Sequence, residues 1–305
     1  RLRWLTGFSG SAGLAIVLAD TAAIFVDGRY TLQVRQQADE TVFSPHHLIE
    51  SPPDKWIAET LPKGGRLGYD PWLHSQSAAE RFAKAAEKAG GELVPVEANP
   101  IDAVWGNQPA APIAPIHTHD LVFAGKSAAD KRREIADLLS EDGVDAAVLT
   151  QPDSIAWLLN VRGGDVQHTP LPQSYAILFR DSTVEWFVDH RKLVTGLTEE
   201  LGNEIAVQPV NALGEKLVEL GASKAKVVVD PATASAYVFE RLDGADIRRK
   251  EDPCTLPKAI KNDAEISGAR AAHLRDGKAL TKFLQWFASA APEGDLNEID
   301  AAERL

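Results

Sequence analysis

Short apolar segments alternate with polar, helix-forming segments along most of the chain. Leu14–Leu18 and Ala23–Val26 flank a turn at Ala19-Asp20, a pattern that predicts a β-hairpin buried on at least one face. Tyr175–Phe179 and Val184–Val188 predict a second hairpin. Further strands are predicted at 66–69, 93–96, 146–149, 205–207, 226–229 and 246–248. Strands that alternate with helices in this way predict an α/β fold.

Helix start and stop signals fill the gaps between these strands. Ser127 and Asp130 resemble a capping box that starts a helix ending near Ser140, and Asp153 is expected to cap a short helix that ends at Leu159. Other helices are predicted near 30–38, 56–61, 77–89, 191–201, 212–220 and 232–242. Residues 100–118 contain four prolines and little periodicity, which predicts a linker.

The two halves of this alternating region look like copies of one unit. Short strings recur at offsets of 153, 162 and 160 residues, and a slow drift of this kind is what duplication followed by small insertions produces. The matched pairs are Trp4-Leu5 with Trp157-Leu158, Phe25–Asp27 with Phe187–Asp189, Arg29 with Arg191, and Asp70-Pro71 with Asp230-Pro231. We therefore expect one domain over 1–118, a second over 119–257 and a third element from 258 onward.

The pattern changes after the second copy. Asn262–Ala290 predicts one long helix, and its apolar and small residues recur every three or four positions, which places them on a single stripe. The stripe consists of Ile266, Ala269, His273, Gly277, Leu280, Leu284 and Phe287. Another helix begins near Asn297. An apolar face of this length needs protein to cover it, and nothing else in the chain obviously does so.

Composition narrows the classes of protein that need considering. The 305 residues carry a formal net charge of -12, which disfavours nucleic acid and anionic membrane as partners. A single cysteine, Cys254, rules out an internal disulfide and any four-cysteine metal site. The chain contains no Met, and its first residues resemble the end of a helix, so we expect a fragment of a longer protein.

Most candidate sites favour an ordinary structural role. The loop Gly7–Gly13 fits no known phosphate-binding spacing and is expected to be a helix-to-strand connection. His117, His119 and Asp120 lie in an extended linker, where alternate side chains point apart, so solvated histidines are favoured over a metal site. Cys254 has no His or acidic residue at a sequence position that would indicate a nucleophile. His273 is expected to lie in an interface.

The segment from Arg162 to Pro170 is the strongest candidate for function. It is an insertion relative to the first copy and brings Arg162, Asp165 and His168 together on a Gly- and Pro-rich loop. Binding groups often lie on loops that a rigid scaffold holds. The alternative is an Arg162–Asp165 ion pair that braces a turn.

The residues also resemble a known family. Trp4–Gly13, Val26–Tyr30, Trp157–Asp165 with His168-Thr-Pro170, and Leu256–Glu265 are similar to the front of three-domain Xaa-Pro aminopeptidases of the creatinase and pita-bread class. The resemblance implies two tandem creatinase-like N-terminal α/β domains with mixed sheets, followed by the first helices of a truncated pita-bread domain. Creatinase or prolidase themselves fit less well, because they carry one such N-terminal domain.

The resemblance implies removal of an N-terminal residue when proline is second, with a pair of divalent ions, usually manganese. Those ions are held by two Asp, one His and two Glu of the catalytic domain. No stretch here matches that pattern, so no catalytic residue and no metal ligand is assigned. We expect a non-catalytic portion of a cytoplasmic enzyme that acts on short proline-containing peptides and is a homodimer when full length. The alternative is a standalone creatinase-like binding or scaffold module.

Overall fold

The structure, a computed structural model, describes residues 1–305 as a mixed α/β protein. The strands are β1 Gly13–Val17, β2 Ala22–Val26, β3 Phe43–His47, β4 Arg66–Tyr69, β5 Glu92–Pro95, β6 His117–Thr118, β7 Ala146–Leu149, β8 Val161–Arg162, β9 Tyr175–Phe179, β10 Val184–Phe187, β11 Ile205–Gln208, β12 Lys226–Val229 and β13 Asp246–Arg249. The helices are α1 Leu2–Thr6, α2 Thr31–Gln37, α3 Pro53–Thr60, α4 Gln76–Lys88, α5 Pro100–Val104, α6 Leu121–Ala124, α7 Ala128–Glu141, α8 Pro152–Leu159, α9 Leu197–Leu201, α10 Leu213–Ala222, α11 Ala236–Arg241, α12 Thr255–Ala259, α13 Asp263–Ala290 and α14 Glu298–Arg304.

The second unit is built on a six-stranded mixed sheet in the order β11-β10-β9-β7-β12-β13. β9 is antiparallel to β7 and β10, and the other pairs are parallel. β7 lies in the middle, and all four of its residues are buried. Ala147 and Leu149 pack into the core on one face, and Ala146 and Val148 into the core on the other. Helices cover both faces, which explains why β7 is a continuous apolar run.

The first unit repeats this topology, but its sheet is in two parts. β1 is antiparallel to β2 and β2 is parallel to β3, as in β9, β10 and β11. β4 and β5 form a separate parallel pair, which is equivalent to the parallel pair of β12 and β13 within the six-stranded sheet. The turn that follows β2 is repeated after β10: the Arg29 guanidinium donates to the Asp27 carboxylate, and Arg191 does the same to Asp189.

Equivalent segments of the two units meet each other through reciprocal backbone hydrogen bonds. Gln76 N donates to Ala234 O, and Ala236 N donates to His74 O, each at about 3 Å. Residues 76 and 236 are equivalent at the offset of 160, as are 74 and 234. Trp72 adds an aromatic stack on Tyr237, with ring centroids 3.8 Å apart. The contact is therefore related by a local pseudo-two-fold axis.

One sequence prediction about a helix start, the Asp153 cap, is wrong for a reason that the backbone makes clear. Gln151, not Asp153, is the N-cap of α8, because Pro152 occupies the first helical position and fixes its φ there. The predicted linker begins with a short helix, α5. Pro100 starts this helix instead of breaking it, and the Asn99 side chain caps Ile101 N.

The long helix α13 agrees closely with its predicted bounds, and none of its residues is buried. A full capping box between Asn262 and Glu265 starts it. Asn262 also donates to Ala124 O at the end of α6, where Gly125 has a φ of 67° and no room for a Cβ. The stripe stays uncovered along the helix, with Leu284 54% and Leu280 47% exposed. No helix in the structure has both the length and the apolar character needed to cross a bilayer.

Candidate functional site

The loop after β8 carries the three residues that the sequence singled out, and its root is fixed by a short sheet. β8 pairs with β6, so that Arg162 lies opposite His117. The Arg162 guanidinium is half-buried and donates to Val161 O at 2.8 Å and to Ala156 O at 3.3 Å. Partial burial lowers the pKa of Arg162, and the nearby Glu265 carboxylate opposes this shift. The Arg162 side chain is thus held against the end of α8.

Asp165 is turned into the protein and not toward the loop surface. Its side chain is fully buried, and its Oδ2 accepts from Lys192 Nζ at 2.6 Å and from Gln173 N at 2.7 Å. Lys192 is 5% exposed and also donates to Gln173 O. The Arg162–Asp165 pair considered as an alternative is therefore not formed, because Lys192 takes the carboxylate. Asp165 fixes the two ends of the loop, and its Oδ1 is buried without a hydrogen-bond partner.

His168 lies at the tip of the same loop and is exposed. Its φ of 60° is left-handed, a conformation that a residue of this type adopts mainly in tight turns. Val166 and Thr169 close that turn through an isolated bridge. The structure consequently separates the three residues: Asp165 is inside, Arg162 is held at the root, and His168 faces solvent.

Sequence reasoning missed a charged cluster beneath α13. Lys131 on α7 donates to Asn160 Oδ1 at 2.7 Å and to Trp157 O at 3.1 Å, and its ammonium lies over the Trp157 ring. Burial lowers the pKa of Lys131 to about 8. Glu265, in the first turn of α13, opposes this shift and the corresponding shift of Arg162. The Glu265 charge at the start of α13 therefore acts on two partly buried cations of the second unit.

The sequence contains a feature from which the role of Lys192 could have been predicted, but none for Glu265. At the offset of 162 residues, Lys192 is equivalent to Tyr30, a residue packed against the core of the first unit. A lysine at a position that is aromatic in the duplicate indicates a buried cation that needs a partner. Glu265 resembles an ordinary capping residue, since its approach to Lys131 and Arg162 depends on how α13 meets the second unit.

The remaining candidates behave mostly as structural residues. His119 is half-buried beside Phe123, so it is not the solvated histidine that was predicted, while His117 is exposed and Asp120 caps α6. In the Gly7–Gly13 loop a Cβ at Gly10 would lie 2.2 Å from the Phe8 ring, so the loop is a tightly packed connection. Burial raises the pKa of Cys254 far above its usual value.

The described residues do not fit a two-metal centre. Nowhere do three or more His, Cys, Asp or Glu side chains come together in a way that could hold a metal ion. His273, on the α13 stripe, is exposed and lines the same shallow cavity as Leu305. No chemical step through a metal is therefore assigned to these residues.

Comparison with known proteins places both units in one family. Residues 1–104 and residues 107–265 each match the creatinase/prolidase N-terminal domain. The chain therefore belongs to the creatinase/prolidase N-terminal domain family, and it carries two such domains in tandem. This confirms the fold class and the duplication that the sequence predicted.

The relatives narrow the resemblance to the aminopeptidases P. The chain is 35% identical to a probable Xaa-Pro aminopeptidase P of Paracoccidioides brasiliensis over 100% of this chain and 52% of that protein. It is 32% identical to aminopeptidase P2 of Arabidopsis thaliana, again over 100% of this chain and 48% of that protein. The chain thus spans about half the length of the curated relatives it matches.

A solved structure agrees with the sequence relatives. The X-prolyl aminopeptidase of Caenorhabditis elegans, described as a cytosolic enzyme with a di-nuclear active site, superposes with a TM-score of 0.92 at 26% identity. The superposition covers 99% of this chain and 51% of that chain. The resemblance to Xaa-Pro aminopeptidases inferred from sequence motifs is therefore confirmed.

Proposed function

We propose that these 305 residues are the non-catalytic N-terminal portion of a metal-dependent aminopeptidase that removes the first residue of peptides with proline second. The similarity to aminopeptidases P runs along the whole chain but covers only about half of each relative. The residues present hold no candidate metal cluster. The catalytic residues then belong to the part of the protein outside these residues.

The uncovered stripe on α13 is the observation that carries this proposal. A 28-residue helix without a single buried residue is unusual, because most helical stability in proteins comes from packing an apolar face. We assign the occupant of that face as a pita-bread catalytic domain that follows Leu305 in the chain. On this basis residues 258–305 begin that domain, and 1–118 and 119–257 are the two domains before it.

The exposed surface next to α13 supports the same occupant. α6 contacts α13 and leaves Leu121, Val122 and Phe123 more than half exposed. Exposed apolar residues grouped in this way mark a protein contact more often than a solvent face. The remaining domain would cover α6 together with the stripe.

The two N-terminal domains would restrict access to the catalytic centre to short peptides. A proline in second position lacks an N–H and constrains the residue before it, so such peptides are sterically distinctive. In the complete enzyme, His168 at the exposed tip would reach a peptide directly, and Arg162 would do so only by leaving the backbone carbonyls that it binds at the root of the loop. Asp165 acts as a positioning residue for them through Lys192.

The other properties of the complete enzyme are carried over from its resemblance to the family. We assign it two divalent ions, as manganese, in the catalytic domain, a homodimeric assembly and a cytoplasmic location. The Caenorhabditis relative is described as cytosolic and di-nuclear, which supports the metal pair and the location. This chain itself would bind no metal.

The proposal is tested by comparing this chain with the longer product of the same gene. Hydrolysis of a dipeptide with proline second is measured for both, with and without manganese. The longer product should be active and manganese-dependent, and this chain should be inactive. Hydrolysis by the chain alone would overturn the proposal, and a stop codon after Leu305 would favour the standalone binding or scaffold module.

The loop assignment has its own test in the longer enzyme. His168→Ala and Arg162→Ala should each raise KM or lower kcat. The thermal midpoint of the His168→Ala variant should not change, because the His168 side chain is exposed. A replacement at His190, an exposed histidine outside the loop, serves as the matched control. Unchanged kinetics for both loop variants would remove the loop from the substrate path.

A further inference from the structure

The short segment Ala124–Lys126 joins α6 to α7 and is held at both of its ends by asparagine side chains. At one end, Asn262 Nδ2 donates to Ala124 O at 2.8 Å. At the other end, Asn160 Nδ2 donates to Lys126 O at 2.9 Å. Residues from the start of α13 and from the end of α8 therefore bind the same few backbone carbonyls.

Gly125, the middle residue of the segment, packs directly against Asn262. Its φ of 67° is left-handed, and a Cβ at this position would lie 2.2 Å from Asn262 Oδ1. Asn262 is itself fixed, because its Oδ1 accepts from Glu265 N and caps α13. The first turn of α13 thus sets the position of Ala124–Lys126.

Asn160 carries the contact on to the loop after β8. Its φ of 50° turns the chain out of α8, and its Oδ1 accepts from Lys131 Nζ at 2.7 Å. Its backbone O accepts from His119 N at 2.6 Å. β8 begins at the next residue, and the loop to His168 follows Arg162 directly. The residue that binds Lys126 O is therefore also the root of the loop.

The first unit shows that the turn itself does not require these side-chain bonds. At the offset of 153 residues, Asn160 is equivalent to Gly7, which also ends a helix with a left-handed φ, of 78°. Gly7 has no side chain, and the first unit lacks the insertion that forms the loop. The asparagine is found in the copy that carries both the loop and α13.

We propose that Ala124–Lys126 is a joint through which the start of α13 fixes the position of the loop that carries His168. Asn262 and Asn160 are the two positioning residues of this joint, one at each end. A displacement of α13 would reach the root of the loop across two hydrogen bonds. The joint depends only on contacts within this chain and goes beyond the proposed function.

Two variants each remove a single donor from the joint. Asn262→Asp keeps the helix cap, because Asp caps a helix as well as Asn does, but it cannot donate to Ala124 O. Asn160→Asp keeps the acceptor for Lys131 and loses the donor to Lys126 O. The two variants therefore open the joint from opposite ends.

The readout is amide hydrogen exchange in the loop, measured on the full chain. Gly163 N and Thr169 N donate to Pro170 O and Val166 O within the loop and report its order. Each variant should speed exchange at both amides by roughly fivefold, the factor expected for the loss of one ordinary hydrogen bond. The double variant should show less than the product of the two single effects, because both changes break the same path.

Asn297→Asp is the matched control for Asn262→Asp. Asn297 caps α14 in the same kind of capping box, and its Oδ1 accepts from Ile299 N and Asp300 N. The change adds the same charge at a helix cap outside the joint. It should leave exchange in the loop unchanged.

Two results would overturn the joint. Loop exchange in Asn262→Asp equal to that in Asn297→Asp, whatever Asn160→Asp does, would show that the loop is fixed without α13. Fully multiplicative effects in the double variant would show that the two asparagines act separately. Neither readout involves catalysis, so failure of the joint is distinguishable from failure of the proposed function.

Discussion

At the scale of single residues, buried charge decides how the candidate loop is built. The Asp165–Lys192 pair is almost entirely removed from solvent, whereas the neighbouring Asp189–Arg191 pair lies at the surface with its arginine 67% exposed. A buried ion pair is costly to break because the remaining partner stays charged and dry. Asp165 and Lys192 therefore set the position of the loop that carries His168.

Lys192→Met should lower the free energy of unfolding by about 3 kcal/mol, because it leaves Asp165 buried without its cation. Arg191→Met removes the same charge from the adjacent, exposed residue and should leave the unfolding midpoint almost unchanged. Urea unfolding of the two variants measures the difference. Equal midpoints would mean that the pair does not hold the loop.

Lys131 gives the protein a stability that rises with pH in the alkaline range. Because burial lowers its folded pKa to about 8, the folded chain loses this proton between pH 8 and the ordinary lysine pKa, while the unfolded chain keeps it. The unfolded state then binds more protons, so stability increases with pH. The difference in free energy of unfolding between the natural chain and Lys131→Met should increase by about 1 to 2 kcal/mol from pH 7.5 to pH 9.5. A constant difference across this range would show that Lys131 titrates normally.

At the scale of elements, α13 differs from every other long helix in the protein. α4 and α7 bury a face against the sheets, whereas α13 buries no residue along its whole length. Its start is nonetheless well fixed by the capping box and by the Asn262 bond to α6. The helix is thus held at one end and presents its stripe along the rest.

The exposed stripe predicts that one substitution changes the stability of the longer protein but not that of this chain. Leu284→Glu should leave this chain nearly as stable as before, because Leu284 is 54% exposed here. In the longer protein the same change should lower stability by about 3 kcal/mol, since it places a charge in an apolar contact. Gln285→Glu adds the same charge at the next residue, off the stripe, and should be tolerated in both. Thermal unfolding of the four proteins checks this, and equal effects of the two changes would argue against a covered stripe.

Element boundaries were predictable where local pattern alone sets them. The strands at 146–149, 175–179 and 226–229 have the predicted bounds, because short apolar runs between turn residues leave little choice. Helix starts were less predictable at Pro100 and Pro152, where one residue type can either break or begin a helix. The α13 helix followed directly from its periodicity.

At the scale of the whole molecule, two sheets of common topology are joined side by side through equivalent segments. The contact combines the reciprocal backbone bonds with the stack of Trp72 on Tyr237 and an Arg249–Glu80 ion pair. Contacts between domains of one chain usually permit relative motion unless they are large and apolar. Here backbone pairing and an aromatic stack couple the two units.

Trp72→Ala should weaken that coupling by about 2 kcal/mol and separate the unfolding of the two units into two transitions. Trp4→Ala is the matched control, because Trp4 is similarly exposed (41% against 39%) but stacks on Trp105 within the first unit. It should destabilise the first unit without separating the transitions. Calorimetry distinguishes the outcomes, and one shared transition in Trp72→Ala would mean that the units are coupled elsewhere.

The candidate site was less predictable than the fold because its contacts join distant parts of the chain. The loop itself could be located as an insertion between the copies. The partner of Asp165 lies 27 residues away, and the pairing of Lys131 with Asn160 spans 29. No local pattern fixes which of several nearby charges will meet, since that depends on how helices and strands pack.

The reciprocal bonds between Gln76 and Ala234 and between Ala236 and His74 have an evolutionary consequence. Contacts of this kind are those that a symmetric pair of identical single units would make. In such a pair, any mutation would change both sides at once. In one chain the two sides are separate positions, so each can change without the other. Trp72 is an example of such a difference. Its equivalent in the second unit is Ala232, so the second unit has no indole at this position.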